Sequence, residues 1–457
     1  VIELWEQQQR CVTGIRSAFQ RGVRRVLLVS PTGSGKTVMF SHMTQHAAAR
    51  KKRIWICAHR QELLDQIGGT LERFDVEFGV IAPGHKHRDA AVQVASVFTL
   101  AKRLDQYEEP DLIIMDEAHH CVSATTWGKV AAAYPNTFLL GVTATPERTD
   151  GHGLGECFDE MVLGATTREL IDQERLSNYE LYRPPSNLDL SGLRKRAGDY
   201  EKAQLEDRVE RSSITGNAVE HHRQYCSGKR ALAFCVSVRH AEITAQMFRD
   251  AGVAAASIDG KSTNRKELVR DLASGQLTVL TSCDLLSEGF DCPAVESAHL
   301  LRPSDSLIVV RQQIGRTLRF HAGKPVSFIF DHAGNTKKHG LPDDEPEWSL
   351  QGHAAKKMAE KATAVRTCKN CFAVFRAGPG VCPYCQTVMP LKEREVEVKQ
   401  GALEKVDKEL ARELAKGHRR DQGRTKTLEE LVALGRSRGY AHPQAWAYHV
   451  FKSRQRR

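Results

Sequence analysis

No run of 18 apolar residues occurs in the 457-residue chain, which argues against a membrane-spanning helix, since one needs about 20. No charged-then-apolar leader with a cleavage site opens the sequence, whose first residue is Val, so secretion is not expected. There is no solenoid period and no low-complexity tract. Disulfide spacing is also lacking, although there are twelve cysteines. Cys57, Cys121, Cys235, Cys283 and Cys292 lie in or near apolar strand-like runs, as small buried hydrophobes do. Cys368, Cys371, Cys382 and Cys385 stand apart as a cluster. A reducing, cytosolic compartment fits this usage.

What the chain does have is positive charge. The net charge is +10 and the pI is about 9.0, which favours a polyanionic partner. The excess is uneven, because residues 386–457 carry 17 Lys and Arg against 10 Asp and Glu. A length of 457 residues implies two or three domains. Short apolar runs alternate with helical stretches over 26–145: "VLLVS", "IWICAH", "VQVASV", "LIIMDEAH" and "FLLGVTAT". Such runs between helices indicate a parallel sheet covered on both faces. Residues 180–228 read as a polar connector with some helix. The alternation resumes with "ALAFCV", "AAASID", "LTVLTS", "AHLLRP" and "VSFIFDH". The expected fold class is α/β: two tandem domains with parallel sheets over 1–178 and 179–345, a small cysteine module at 366–388, and a helical basic tail at 389–457.

"SPTGSGKT", 30–37, follows a strand and opens a helix, the context a phosphate-binding loop requires. Gly33 and Gly35 allow the backbone curl that aims N–H groups at phosphates, across Pro31, Thr32 and Ser34. Lys36 supplies charge for the β- and γ-phosphates, and the Thr37 hydroxyl suits Mg²⁺. Ser30 replaces the first glycine of the general pattern. "LIIMDEAHH", 112–120, ends an apolar strand on two carboxylates. An ionised carboxylate there is costly unless bound, and Mg²⁺ at Asp116 would bind it, leaving Glu117 to deprotonate an attacking water. "CKNCFAVFRAGPGVCPYC", 368–385, is C-x₂-C-x₁₀-C-x₂-C. Four thiolates in two knuckles match tetrahedral Zn²⁺.

Six motifs stand in order: "PTGSGKT", "AHRQELLDQ", "DEAH", "TATP", "TSCDLLSEGFD" and "QQIGRTLR". Together they resemble the helicase core of superfamily 2, DEAH-box in spelling, over roughly residues 1–335. Within it the chain is most similar to RadD-type and phage DNA helicases with a C-terminal zinc ribbon. The resemblance implies two RecA-like domains with ATP in the cleft between them, and an ATP-dependent DNA helicase or translocase. It implies that Arg316 and Arg319 reach the γ-phosphate from the second domain, that Gln312 faces the nucleotide and the attacking water, and that Gly289 and Asp291 couple nucleotide to strand. His119 would link the carboxylates to the second domain. Gln8, in "LWEQQQR", aligns with the family's adenine-holding Gln; an ordinary amphipathic helix start remains the alternative. The strand would contact Arg60, Ser96, Thr99, Thr281 and Ser282, with helix caps and loops as the alternative for each. DNA is the expected nucleic acid, with RNA open. A monomer is expected, with repair or replication proteins as partners for the ribbon and tail. In the tail, 392–416 reads as a charge-alternating helix. Tyr440, Trp446, Tyr448 and Phe451 either stack on bases or bury in a small helical pair.

Overall fold

A computed structural model describes residues 2–86, 88–148, 151–183, 193–196, 199–201, 204–205, 214–260, 262–283, 290–352, 365–368, 370–376 and 380–389. In the tail it describes 425, 427–437, 443–444, 447 and 451. The chain divides into Val1–Pro390 and Leu391–Arg457.

The apolar runs of the first half form seven strands: β1 (Arg25–Val29), β2 (Ile54–Ala58), β3 (Gly79–Ile81), β4 (Val92–Ser96), β5 (Leu112–Asp116), β6 (Phe138–Thr143) and β7 (Glu160–Leu163). They pair throughout in parallel, in the order β3-β4-β2-β5-β6-β1-β7. Both faces are covered. Ile15, Phe40 and Ile67 pack on one side, and Trp127, Val130 and Phe158 on the other. This is why β2, β4 and β5 are buried at every position and read as predominantly apolar runs, interrupted by Gln93 in β4 and ending on Ser96 and Asp116.

The second sheet contains β8 (Asn178–Tyr182), β11 (Ala231–Phe234), β12 (Ala255–Ile258), β13 (Val279–Ser282), β14 (Ser297–Leu300) and β15 (Val326–Phe330). A two-residue hairpin, β9 (Lys195–Arg196) and β10 (Asp199–Tyr200), lies between β8 and β11 in sequence. The order β12-β13-β11-β14-β15-β8 is again all parallel. The connector expected over 180–228 thus begins inside a strand. "NYELY" escapes recognition because β8 is an edge strand, exposed or half-buried at its first three residues, so it shows no apolar run. The edge strand β7 is missed for the same reason.

The topology puts the chemistry at one edge. The strands β5, β6 and β1 are neighbours, and the loops after them carry the DEAH, TATP and phosphate-loop residues. All three leave the carboxyl ends of parallel strands, where ligands bind in open α/β sheets.

Beyond the second sheet the chain returns to the first. Trp348 and Leu350 pack against the first lobe's core, and Gly155 N–H donates to Leu350 O at 2.9 Å. The cysteine module follows: β16 (Val365–Thr367) and β17 (Val374–Arg376) pair antiparallel. It docks on the second lobe, where Ala373 and Phe375 share a core with Tyr182 and Phe330. Arg183 N–H donates to Phe372 O at 2.9 Å. Among the described residues, no helix is long and apolar enough to cross a membrane. The helix expected at 392–416, with Tyr440, Trp446 and Tyr448, lies outside the described residues; Phe451 is half-buried and Leu428–Ser437 is helical.

Candidate functional site: a nucleotide cleft between two lobes

The phosphate loop turns on two left-handed residues, Gly33 (φ +88°) and Gly35 (φ +79°). Gly35 is also the N-cap of helix Lys36–Ala48, so the loop's N–H groups and the helix terminus converge where an anion binds. A Cβ on Gly35 would lie 2.3 Å from Gln8 Nε2, so a side chain is excluded by contact as well as by φ. The Lys36 ammonium is cradled by the carbonyls of Ser30 (3.0 Å) and Pro31 (3.2 Å). Burial draws its pKa down, against the pull of Glu117 and Asp116.

Asp116 is 6% exposed. Burial first, then the neighbouring charge of Glu117, pushes its carboxyl up to about 7, with Lys36 opposing. A carboxylate so placed asks for a cation. Glu117 holds φ +53°, a conformation uncommon for a side chain of this kind and concentrated at functional sites. Its Oε2 lies 3.3 Å from His119 Nδ1. That nitrogen is also 3.3 Å from Thr143 Oγ1, and Thr143 in turn donates to Thr145 O (2.9 Å) and accepts from Thr145 N–H (3.1 Å). The DEAH and TATP segments are therefore joined by hydrogen bonds through His119 and Thr143, with the Glu117 carboxylate at ion-pair distance from His119.

The second lobe closes the cleft with helix Leu307–Thr317. Gly315 lies so close to the phosphate loop that a Cβ would sit 2.8 Å from Thr32 Cβ. Arg316, the next residue, and Arg319, about one turn on, both donate to Phe290 O, at 3.0 and 3.2 Å, and Arg319 also pairs with Asp291. Arg316 and Arg319 line the same solvent-open cleft, of roughly 1520 Å³, as Thr32, Lys36, Thr37 and Asp116. A nucleotide-sized space is thus bounded by cations from both lobes.

The Type III restriction enzyme, res subunit family matches residues 1–148, and the Helicase conserved C-terminal domain family matches 217–321. A "51.5 kDa protein" of a Lactococcus phage is 32% identical over 84% of this chain and 82% of its own length. "Putative ATP-dependent helicase IRC3" of Saccharomyces cerevisiae is 30% identical over 72% of this chain. The present chain spans about half of that yeast protein, 51% of its length. The chain belongs to the superfamily 2 helicases. Among solved structures, "The fragment structure of a putative HsdR subunit of a type I restriction enzyme from Vibrio vulnificus YJ016" superposes with a TM-score of 0.59 at 20% identity, covering 74% of this chain and 65% of that one. At that identity the likeness speaks for the fold.

Other site residues of this helicase are distributed unevenly. Gln8 is 4% exposed and donates through Nε2 to Ser34 O at 3.0 Å, while Trp5 N–H donates to its Oε1 at 3.1 Å. Its amide is therefore engaged in holding the phosphate loop rather than directed to a base. Trp5, which the motif does not anticipate, lines the cleft under the Arg175 guanidinium, 4.5 Å from the ring centroid. No sequence signal marks that pair, which is 170 residues apart. Gln312 is buried on the arginine helix but is not among the residues lining this cleft. Gly289 lies outside the described residues.

Of the strand-facing candidates, Arg60 is the N-cap of helix Gln61–Arg73 and Ser96 is the N-cap of helix Val97–Leu100. They end adjacent strands, β2 and β4; Ser96 is buried and Thr99 is half-buried on the short helix. Thr281 and Ser282 require correction. They are 0% and 1% exposed, and the Thr281 hydroxyl donates to Ala241 O at 2.7 Å. Thr281 faces helix Val238–Asp250, and Ser282 is the buried last residue of the interior strand β13. Across the lobes, Arg265 pairs with Glu62 (3.5 Å) and Lys266 with Asp65 (3.2 Å). These exposed pairs each contribute about 0–1 kcal/mol, weak enough to break during lobe movement.

In the cysteine module, Cys368 Sγ–Cys385 Sγ and Cys371 Sγ–Cys382 Sγ are both 3.6 Å, and all four sulfurs lie within 4.8 Å of one another. A tetrahedron with metal–sulfur bonds of about 2.3 Å needs sulfurs about 3.8 Å apart. The two halves repeat each other. Phe372 and Gln386, each directly after a second cysteine, hold φ +59°, and their N–H groups donate to Cys368 O and Cys382 O. These residues fit a four-thiolate metal.

Proposed function

We propose that this helicase hydrolyses ATP between its lobes and uses lobe closure and reopening to move along, and separate, DNA strands. The carrying observation is the convergence of Arg316 and Arg319 with Lys36, Thr37 and Asp116 on one cleft. Lys36 and the loop N–H groups bind the β- and γ-phosphates, and Glu117 takes the proton of the attacking water. Arg316 and Arg319 stabilise the charge that develops on the transferred phosphoryl group. Thr37 and Asp116 would hold Mg²⁺, which supplies further neutralisation of phosphate charge when bound. The His119–Thr143–Thr145 relay carries the state of the carboxylates toward the lobe boundary. DNA is favoured over RNA by the match to a restriction-enzyme family and by the resemblance to RadD-type helicases.

The deciding experiment is ATP hydrolysis measured with no nucleic acid, single-stranded DNA, duplex DNA and RNA, followed by strand displacement. DNA-stimulated hydrolysis with displacement is expected; stimulation by RNA alone would overturn the DNA assignment. Stimulation by duplex without displacement would favour the second reading, a double-stranded DNA translocase, to which the restriction-subunit match also points. Contacts through phosphate make binding salt-dependent. For four neutralised phosphates on a single strand, affinity should fall roughly 50-fold between 50 and 200 mM salt. A flat salt response would remove the phosphate-tracking path.

We further propose that Cys368, Cys371, Cys382 and Cys385 hold structural Zn²⁺. So small a module buries little, and in such modules metal binding is worth on the order of 10 kcal/mol of folding free energy. Chelation should therefore make 365–389 protease-sensitive while the two lobes stay folded; a module still resistant to cleavage after zinc is stripped would contradict the assignment. Docking on Tyr182 and Phe330 makes it a rigid extension of the second lobe, able to carry DNA or a partner protein.

A further inference from the structure

A second group of metal-ligating atoms lies inside the second lobe, apart from the four-cysteine module. Helix Ile214–Cys226 places His222 and Cys226 one turn apart on one face. The interior strand β14 presents His299 to the same point. His222 Nδ1 lies 3.3 Å from His299 Nε2 and 3.2 Å from Cys226 Sγ, and the three atoms fall within 4.8 Å of one another. The residues are 1%, 0% and 1% exposed in the order His222, His299, Cys226. Phe248 stands edge-on to both imidazoles and Phe330 stacks on His299, so the surroundings are apolar.

Hydrogen bonds alone do not satisfy this chain. His299 Nδ1 is 3.2 Å from His332 Nε2. If His299 donates there, its Nε2 carries a lone pair aimed at His222. Should His222 Nδ1 donate to that lone pair, it cannot also accept from the Cys226 thiol, whose alternative acceptor, Ser297 Oγ, is 3.7 Å away. Should His222 Nδ1 accept instead, the thiol and His299 Nε2–H compete for one lone pair. An ion bound at Nδ1 removes that competition, and His222 Nε2, which has no hydrogen-bond partner in this structure, carries the ring proton.

We propose that His222 Nδ1, His299 Nε2 and Cys226 Sγ bind a transition-metal ion, with Zn²⁺ the resident species. A tetrahedral ion with bonds of about 2.0–2.1 Å to nitrogen and 2.3 Å to sulfur separates its ligand atoms by about 3.3–3.6 Å, close to the two spacings made by His222 Nδ1, with all three atoms within 4.8 Å. The soft thiolate and two imidazoles suit zinc rather than magnesium or calcium. The His299–His332 hydrogen bond is the outer partner that fixes a ligating imidazole's tautomer. Burial holds His222 down at about 4 and His299 well below its usual range, so both rings are neutral, the ligand form, at pH 7. Binding releases the Cys226 proton to solvent and leaves one position for an oxygen ligand, with Ser297 Oγ nearest the sulfur. The ion would pin helix Ile214–Cys226 to the sheet beneath the docked ribbon, because Cys226 shares a core with Cys368, Cys382 and Tyr182.

The test is metal content of the full-length chain by mass spectrometry, with Cys226→Ser, His299→Asn and the ribbon double variant Cys368→Ser/Cys382→Ser. Cys226→Ser and His299→Asn should each lose one zinc per chain relative to wild type, while the ribbon variant keeps one. Unchanged zinc in Cys226→Ser overturns the site. In case the buried variants do not fold, the ribbon variant loaded with Co²⁺ provides an independent reading. A visible d–d spectrum with a single-thiolate charge-transfer band supports the site, and a colourless protein refutes it.

Discussion

Replacing Arg316 by Ala is expected to leave ATP binding within a few-fold of wild type and to cut nucleic-acid-stimulated hydrolysis by roughly 10³-fold or more. That loss corresponds to about 4 kcal/mol of transition-state stabilisation. The split follows from where the side chain sits. Ground-state binding rests on the phosphate loop and Lys36, all within the first lobe. Arg316 enters from the second lobe, on a helix whose Gly315 already touches the loop at Thr32, so its contribution depends on closure. Arg316→Lys should recover only a small part of the rate, because an ammonium lacks the planar fork. Measuring ATP affinity and turnover separately checks both halves. Near-normal stimulated hydrolysis in Arg316→Ala would mean that the arginine does not reach the reacting phosphate, and Arg319 would then be the group to test.

Asp116→Asn should abolish Mg²⁺-dependent hydrolysis and at the same time stabilise the nucleotide-free protein. The carboxyl titrates at about 7 in the folded state and near 3.9 when unfolded. Below pH 4 both states hold the proton and there is no penalty. Between pH 4 and 7 the unfolded state releases it first, so the folded state loses stability as pH rises, and above 7 the penalty is complete. Asn carries no such proton. The gain in Tm over wild type should therefore be larger at pH 8 than at pH 5, corresponding to a free-energy gain on the order of 1 kcal/mol or more at the higher pH. Thermal unfolding at the two pH values, with and without Mg²⁺ and ATP, tests this. Nucleotide and metal should stabilise wild type much more than the variant. A variant less stable than wild type at pH 8 would show that Asp116 is paired for structure rather than held for a cation.

Both predictions concern groups that could be read from short stretches of sequence. "GSGKT" after an apolar strand, a strand ending on two carboxylates, and C-x₂-C-x₁₀-C-x₂-C are local patterns. Their chemistry depends on residue type and spacing over a turn or less, and the backbone conformations they require, such as φ +79° at Gly35, follow from those residues. The two parallel sheets were legible for the same reason: strands buried on both faces are mostly apolar, with only scattered polar residues such as Gln93 and His299. Edge strands carry a weaker mark: β12 was read, but β7 and β8, exposed or half-buried over most of their length, were invisible until paired.

Burial and partnership are different, because they are set by elements far apart in the chain. Thr281 and Ser282 look like strand contacts in a motif, yet the packing of helix Val238–Asp250 on β13 encloses them. Gln8 fits a base-reading pattern, but the fold turns its amide to Ser34. Trp5 meets Arg175, Trp348 returns to the first lobe, and His222, Cys226 and His299 meet in the core only because helices and strands cross there. Sequence by itself determined the fold class, the phosphate loop, the acidic pair and the cysteine ribbon. Tertiary structure alone decided which hydroxyls remain accessible, that Arg175 joins Trp5 at the cleft and where buried histidines converge. Residue spacing encodes interactions within one turn or strand, whereas those between elements depend on how whole surfaces pack.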